Sequence, residues 1–325
     1  MSKQKNSKVI AVYLDDNDIM QVEISWLYKT WILNNLQEEW DLVVYYNPAA
    51  SHRLDDLDMA IKIPMVPYEV SKSYPFLNSH NFCLAPHNEP LLEYEYLLKT
   101  DCDVFLTHNL KNYNPGVKFH YGQGGFYSNE EKEKTAQINW VANSLTPSID
   151  FRLGEKKIDL VHRYMTFVGA SFLGTSTRVS YITALQSLLT QELLKNHFGK
   201  SNAIREAPGG LRSRKHQRVI GPNIAEGIAS MLAGEIIVNS MMHHQHVAPW
   251  TLDSKCWITD PISSNVLHIH GWHTSDKFSK HDFFLGKYGD WKVHYDNRLD
   301  NCGNYCQWIA TTPLDEIKKI AKKSK

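Results

Sequence analysis

Asp101 and Asp103 stand one residue apart, between the stretch Leu91 to Thr100 and the apolar run Val104-Phe105-Leu106. In an extended segment, residues two apart point the same way, so both carboxylates share a face and Cys102, Val104 and Leu106 take the other. Two hard anionic groups on one face suit a divalent cation such as Mg2+ or Mn2+ that keeps positions open for a diphosphate. Taken alone, Asp-x-Asp is also the pattern of a solvated acidic turn. The apolar flanks argue against that, because a carboxylate at the edge of a core needs a partner or a cation.

A second chemical cluster lies late in the chain, Val266-Leu-His268-Ile-His270-Gly-Trp-His273. If 264–270 is a strand, Val266, His268 and His270 share one face while Leu267 and Ile269 turn to the core. An imidazole added to the two carboxylates would complete a metal site; polar decoration of a half-buried strand is the plainer alternative. No cysteine lies beside these histidines at zinc-site spacing.

Glu235 is the first candidate for a catalytic carboxylate, with Glu226 as the alternative. On a helix begun at Pro222, Ile224, Ile228, Met231 and Glu235 fall on one stripe, which places an ionisable group on an apolar face. There it could take the proton of an acceptor hydroxyl; its structural rival is a core glutamate tied to a backbone amide or a basic residue. The basic segment 197–218 (Lys200, Arg205, Arg212, Arg214, Lys215, Arg218) reads as a mobile lid or an ordinary solvated loop. Trp272, Phe278, Phe283, Phe284, Tyr288 and Trp291 could stack on a sugar or pack as core.

The elements needed to position these groups alternate along the chain. Val9–Leu14 reads as a buried strand, 15–18 as a polar turn, Met20–Leu36 as a helix and Asp41–Tyr46 as a second strand closed by Asn47-Pro48. That order implies a parallel sheet with right-handed crossovers. Residues 90–99 read as a helix leading to the acid pair, Val117–Tyr127 as an irregular strand, Thr166–Gly174 as apolar sheet sequence and Ser180–Asn196 as a helix. The basic tail Lys318–Lys325 is expected to fray. Gly122-Gln-Gly124-Gly125 lacks the third glycine and acidic partner of a dinucleotide fingerprint, and no Walker A sequence occurs, so dehydrogenase and P-loop readings fall away.

The chain has 325 residues, 42% of them hydrophobic and 22% charged, and its 35 basic and 35 acidic residues cancel, which disfavours nucleic acid and anionic membranes as partners. No stretch reaches the length of a membrane span and no secretory leader is read at the start. Five scattered cysteines and the lack of an Asn-x-Ser/Thr acceptor favour a reducing, cytoplasmic setting. One α/β domain with C-terminal additions is the simplest organisation.

Taken together, Tyr94-x-Tyr96-Leu-Leu-Lys-Thr-Asp101-Cys-Asp103-Val-Phe-Leu-Thr107, Gly122-x-Gly124-Gly125-x-Tyr127, Gly234-Glu235-Ile-Ile-Val-Asn239 and His268-Ile-His270-x-Trp272-His273-Thr274 resemble glycosyltransferases of the GT-A fold. The likeness runs over residues 8–290 and is closest to a little-characterised GT-A-like family of algae, fungi and large algal viruses. It implies a Rossmann-like, mainly parallel sheet flanked by helices. The nucleotide-binding half would span about 8–110, the acceptor-binding half about 111–290 and a C-terminal extension about 291–325. Asp101, Asp103 and His268 would hold Mn2+ or Mg2+, with His270 as competitor on the same face. Tyr13, Leu14, Asp15 and Asp16 would hold uracil and ribose, Lys99 would reach the ribose or an adjacent carboxylate, and Gly124 and Gly125 would line the donor. One departure stands out. Some retaining GT-A enzymes continue His-x-x-Gly with Lys-Pro-Trp, and here Trp272-His273-Thr274 follow, which leaves the basic partner of the diphosphate unassigned. The expected activity is transfer of a sugar from a nucleoside diphosphate, UDP first, to a glycan or other hydroxyl acceptor. A catalytically silent glycan- or nucleotide-binding protein and a metal-dependent nucleotide-sugar hydrolase are the alternatives.

Overall fold

Alternate residues of the first strand, β1 (Lys8–Leu14), enter opposite cores. Val9, Ala11 and Tyr13 join one cluster and Ile10, Val12 and Leu14 the other, so the strand is buried on both sides. A computed structural model shows this arrangement; it describes residues 6–124, 127–162, 168–206, 216–242, 251–256, 261–271, 278–288 and 293–323. β1 pairs in parallel with β2 (Trp40–Tyr46) on one side and β4 (Tyr96–Lys99) on the other, and β2 pairs in parallel with β3 (Ile61–Pro64). With β5 (Val104–Leu106), β6 (His120–Gln123) and β7 (Val168–Thr175) following in chain order, the six-stranded sheet runs β3-β2-β1-β4-β7-β6. β7 is antiparallel to both its neighbours. The fold is thus α/β, with a mixed, mainly parallel sheet flanked by helices, as its residue pattern implies.

The helix Asp18–Leu33 follows β1 and starts where Asn17 accepts a hydrogen bond from the Ile19 amide. Its Ile24, Trp26, Leu27 and Trp31 cover one face of the sheet. The helices Ser176–Glu192 and Ala229–Met241 cover the other through Val179, Ile182, Leu185, Leu232 and Ile236. No helix among the described residues is long and apolar enough to cross a membrane, and all five cysteines are buried and none is in a disulfide.

Three expectations are corrected. Residues 90–99 are not one helix: a short turn of helix, Glu89–Leu92, leads into β4, whose four residues are all buried in the middle of the sheet. A strand buried on both faces loses the polar alternation that would announce it, so its leucines read as helical. The helix bearing Glu235 begins at Ala229, not Pro222. Residues 220–225 instead form a hairpin, with Gly221 (φ 52°) and Asn223 (φ 65°) around Pro222 and Ile220 paired to Ile224. The basic tail does not fray up to residue 323: Leu314–Lys323 is a helix that buries Ile317 and Ala321 with the first helix in the same core. There Lys29 Nζ donates to Ile309 O at 3.2 Å, and Asn34 Nδ2 donates to Tyr305 Oη at 2.9 Å.

Candidate metal centre

β4 delivers the chain to the carboxyl edge of the sheet, and Asp101-Cys102-Asp103 turn there before β5 begins. The segment is a turn rather than the extended stretch the alternation implies. The two carboxylates still come together, while Cys102 Sγ donates to Tyr13 O at 3.0 Å. β5 pairs antiparallel with the strand His268–His270, Phe105 opposite Ile269 and Val104 opposite His270. Since Val104 follows Asp103, that register sets His270 against the acids. The Gly271 amide donates to Asp103 O at 2.7 Å, and a Cβ at Gly271 would stand 2.9 Å from that oxygen, so only glycine admits the approach.

One ligand atom each from Asp101, Asp103 and His270 lie within 4.8 Å of one another, a spacing that could hold a metal ion. His270 Nε2 is 3.2 Å from Asp103 Oδ1, and its Nδ1 is 3.7 Å from Asp253 Oδ1. His268 faces Asp253 too, at 3.8 Å, but stops there: it is fully buried and its Nδ1 accepts from the Asp253 amide at 3.4 Å. The late histidine that reaches the acids is therefore His270, and His268 stands behind it. Two carboxylates and one imidazole fit a hard to borderline divalent ion, and Asp101 Oδ1 fits it in particular. That oxygen is buried without a hydrogen-bond partner among the described residues, with Lys99 Nζ 3.6 Å away.

The charges are strongly coupled. Burial opposes ionisation of Asp103, but the positive charges of His270 and Lys280 outweigh it and hold the carboxyl well below the usual carboxylate range. Burial likewise works against the His270 cation, yet Asp103, Asp253 and Asp101 lift its pKa to about 9. Burial raises the Asp101 carboxyl, Lys99 draws it back and Asp103 adds to the rise. His268, dominated by burial, falls to about 4 and is neutral at pH 7.

Two participants were not foreseen. Lys280 Nζ lies 2.5 Å from Asp103 Oδ2 and 3.1 Å from Glu23 Oε1, on the wall of the centre. Asp253 is fully buried at φ 52°, a conformation unusual for any residue but glycine. Its Oδ1 accepts from Ser171 Oγ at 2.6 Å and its Oδ2 from the Ser171 amide at 3.1 Å. A Cβ on Gly122 would lie 1.7 Å from Asp253 Oδ2 and one on Gly169 2.4 Å, so these glycines make room for that carboxylate. Gly122, from the glycine-rich stretch, is the sequence feature that bears on Asp253, and nothing local names that partner.

The centre opens on a cavity of about 540 Å³ lined by Tyr13, Asp15, Asn47, Phe76, Asp101, Asp103, Glu226 and Lys280, among others. It spans the loops after β1, β2 and β4, at the point where the chain, having run from β1 out to β3, returns to the other side of β1. Asn47 Nδ2 donates to Asp15 Oδ1 at 2.8 Å, and Arg53 ties Asp16 to Asp18, so the loops after β1 and β2 form one wall. Tyr13 Oη is buried without a hydrogen-bond partner among the described residues, and burial raises its pKa. Leu14 is fully buried in the second core.

The other site candidates fall in different places. Lys99 is fully buried and donates to Ala170 O at 2.7 Å, so it reaches the adjacent carboxylate and not the cavity. Gly124 packs against the β7 backbone, where a Cβ would meet Val168 O at 3.1 Å. Glu235 is fully buried, its Oε1 2.5 Å from His162 Nε2 and accepting from Tyr127 Oη at 3.0 Å, and it is not among the residues that line the cavity. Glu226 does line it, gripped by Arg218 Nη2 at 2.7 Å and Nε at 3.2 Å. Phe278, Phe283 and Phe284 pack around Trp26 as core, with Trp26 to Phe283 centroids 5.2 Å apart. Gly125, Arg212, Arg214, Lys215, Trp272, His273, Thr274 and Trp291 fall outside the described residues.

A family model described as "Domain of unknown function (DUF7164)" matches residues 57–307, a span that contains both acids, both histidines, Asp253 and Lys280. No curated protein matches the chain.

Proposed function

The chain belongs to the DUF7164 family, and we propose that it is a metal-dependent glycosyltransferase of GT-A-like architecture that uses a nucleoside diphosphate sugar, UDP-sugar first. One observation carries this reading: an Asp-x-Asp pair joined by His270 at the carboxyl edge of parallel strands, where the strand order switches, on the wall of a 540 Å³ cavity. In open α/β sheets that crevice is where nucleotides bind. A volume of this order suits a molecule of nucleotide-sugar size.

Asp101, Asp103 and His270 would hold the ion, and the mixed oxygen and nitrogen set makes Mn2+ a better fit than Mg2+. A bound divalent ion supplies Lewis-acid neutralisation of the leaving diphosphate. The wall formed by Tyr13, Asp15 and Asn47 holds base and ribose, with the unpaired Tyr13 hydroxyl offering a donor and Phe76 an apolar face. In transfer, the bond from the anomeric carbon to the diphosphate oxygen breaks and the acceptor oxygen takes its place. The nucleoside diphosphate leaves with the bonding pair, and the acceptor's proton passes to a carboxylate. Glu226, on the cavity wall, is better placed for that proton than Glu235. Residues of the C-terminal segment such as Tyr305, Ile309 and Ile317 share a core with the first helix, which supports reading the chain as one domain.

Calorimetry of UDP with and without Mn2+ tests the reading. UDP binding that needs Mn2+ and is lost in Asp103→Asn supports it; equal affinity with and without the ion overturns it. Release of free sugar from UDP-sugars that no acceptor stimulates would make the enzyme a hydrolase instead.

A further inference from the structure

We propose that Lys280 competes with the divalent ion for Asp103 and, once the ion holds that carboxylate, serves as the cationic partner of the diphosphate. This rests on the reading of the centre as a metal and diphosphate site. Both oxygens of Asp103 are engaged: Oδ1 lies 3.2 Å from His270 Nε2, and Oδ2 lies 2.5 Å from Lys280 Nζ. An ion that bonds Asp103 comes within a few Å of this ammonium, and in a buried site the repulsion between them is poorly screened.

The backbone that carries Lys280 is anchored on the core. Phe278, two residues before it, lies in the aromatic core, 5.6 Å from Phe105 and 5.6 Å from Tyr288 between ring centroids. The Ser279 amide donates to Tyr288 Oη at 2.7 Å, and Ser279 Oγ accepts from the Asp282 amide at 3.3 Å, closing the start of the short helix Lys280–Phe284. The anchor is fixed and a four-carbon stem carries the charge. Glu23, 3.1 Å from Nζ on the first helix, also lines the cavity and retains the ammonium there once Asp103 is taken.

Lys280 is also the one lysine or arginine among the described residues lining this cavity, which otherwise presents Asp15, Asp16, Glu23, Asp101, Asp103 and Glu226. A diphosphate entering so acidic a cavity meets positive charge from the bound ion and from Lys280.

The test uses the full chain and two titrations, Mn2+ alone and then UDP at saturating Mn2+. Lys280→Met removes the competitor and the phosphate partner together, so the two affinities move in opposite directions. Mn2+ binds about tenfold tighter and UDP at least about tenfold weaker. Lys280→Gln, which keeps a hydrogen bond to Asp103 but no charge, gives the same pair of shifts if the Met variant does not fold. A purely structural ion pair predicts otherwise: lower thermal stability with both affinities unchanged, or both reduced. Either result, in a parent that binds Mn2+ and UDP, overturns this inference and leaves the reading of the centre intact. A parent that binds neither overturns that reading, and this inference with it.

Discussion

Asp103 and Glu235 are both buried carboxylates facing an imidazole, Asp103 Oδ1 3.2 Å from His270 Nε2 and Glu235 Oε1 2.5 Å from His162 Nε2. Their surroundings differ. Asp103 stands at a sheet edge beside a second carboxylate, between two cations, on the wall of a cavity. Glu235 lies on the helix Ala229–Met241 with Tyr127 and His162 closing over its Oε1. One carboxylate stands between charged groups beside a large cavity; the other is enclosed, its Oε1 held by Tyr127 and His162 and its Oε2 buried without a hydrogen-bond partner among the described residues. An ionisable group on an apolar face therefore marks a site only where the backbone opens beside it. Of the two glutamates suggested for catalysis, Glu226 meets that condition.

The contrast is broken or sharpened most directly at the two carboxylates themselves. Asp103→Asn is expected to weaken Mn2+ at least about 100-fold in calorimetry, since an amide is a poor ligand for a hard ion. Asn keeps the site filled and avoids the void that Ala would leave beside two buried cations. Glu235→Gln should instead cost about 1–3 kcal/mol in denaturant unfolding while leaving Mn2+ affinity unchanged. A loss of Mn2+ binding in the Glu235 variant would merge the two regions into one site.

Asp253→Asn comes next. The buried Asp253 carboxylate lies 3.7 Å from His270 Nδ1, and removing its charge should weaken Mn2+ by about 10- to 100-fold, with the circular dichroism spectrum retained. An unchanged affinity would reduce Asp253 to a partner of Ser171.

The effect of pH is smaller and has a definite sign. His270 is lifted to about 9 in the metal-free protein, above the roughly 6.5 of an unfolded chain. Its ion pair therefore stabilises the fold fully below about pH 6.5, and that contribution disappears as pH rises through about 9. Because the ion must displace this proton, apparent Mn2+ affinity should rise by about tenfold per pH unit from 7 to 9. His270→Gln should flatten that slope, and a slope kept in the variant would assign the proton elsewhere. The smallest change is expected far from the centre. Lys29, whose pKa burial lowers to about 8, donates to Ile309 O in the second core. Lys29→Met should move stability by no more than about 1 kcal/mol and leave UDP affinity untouched.

The residues that announce themselves in the sequence are those whose physics is local. β1 and β2 are legible as apolar runs closed by polar turns, and the Asp-x-Asp pair by its apolar flanks. β4 is not, because burial on both faces erases its alternation. His268 and His270 share a side, and nothing local says which reaches the acids; the pairing of His270 with Val104 decides it. Pro222 is a sound helix-start signal that a hairpin turn uses instead. Lys280 and Asp253 are single charged residues whose roles depend on long-range placement, so no periodicity could reveal them.

The seam between β5 and the strand His268–His270 also has a consequence for assembly. Asp103 and His270 are 167 positions apart in the chain, so the cluster of two acids and an imidazole is made only by a pairing that closes a long loop. A chain that loses this pairing keeps the two acids side by side and loses their imidazole.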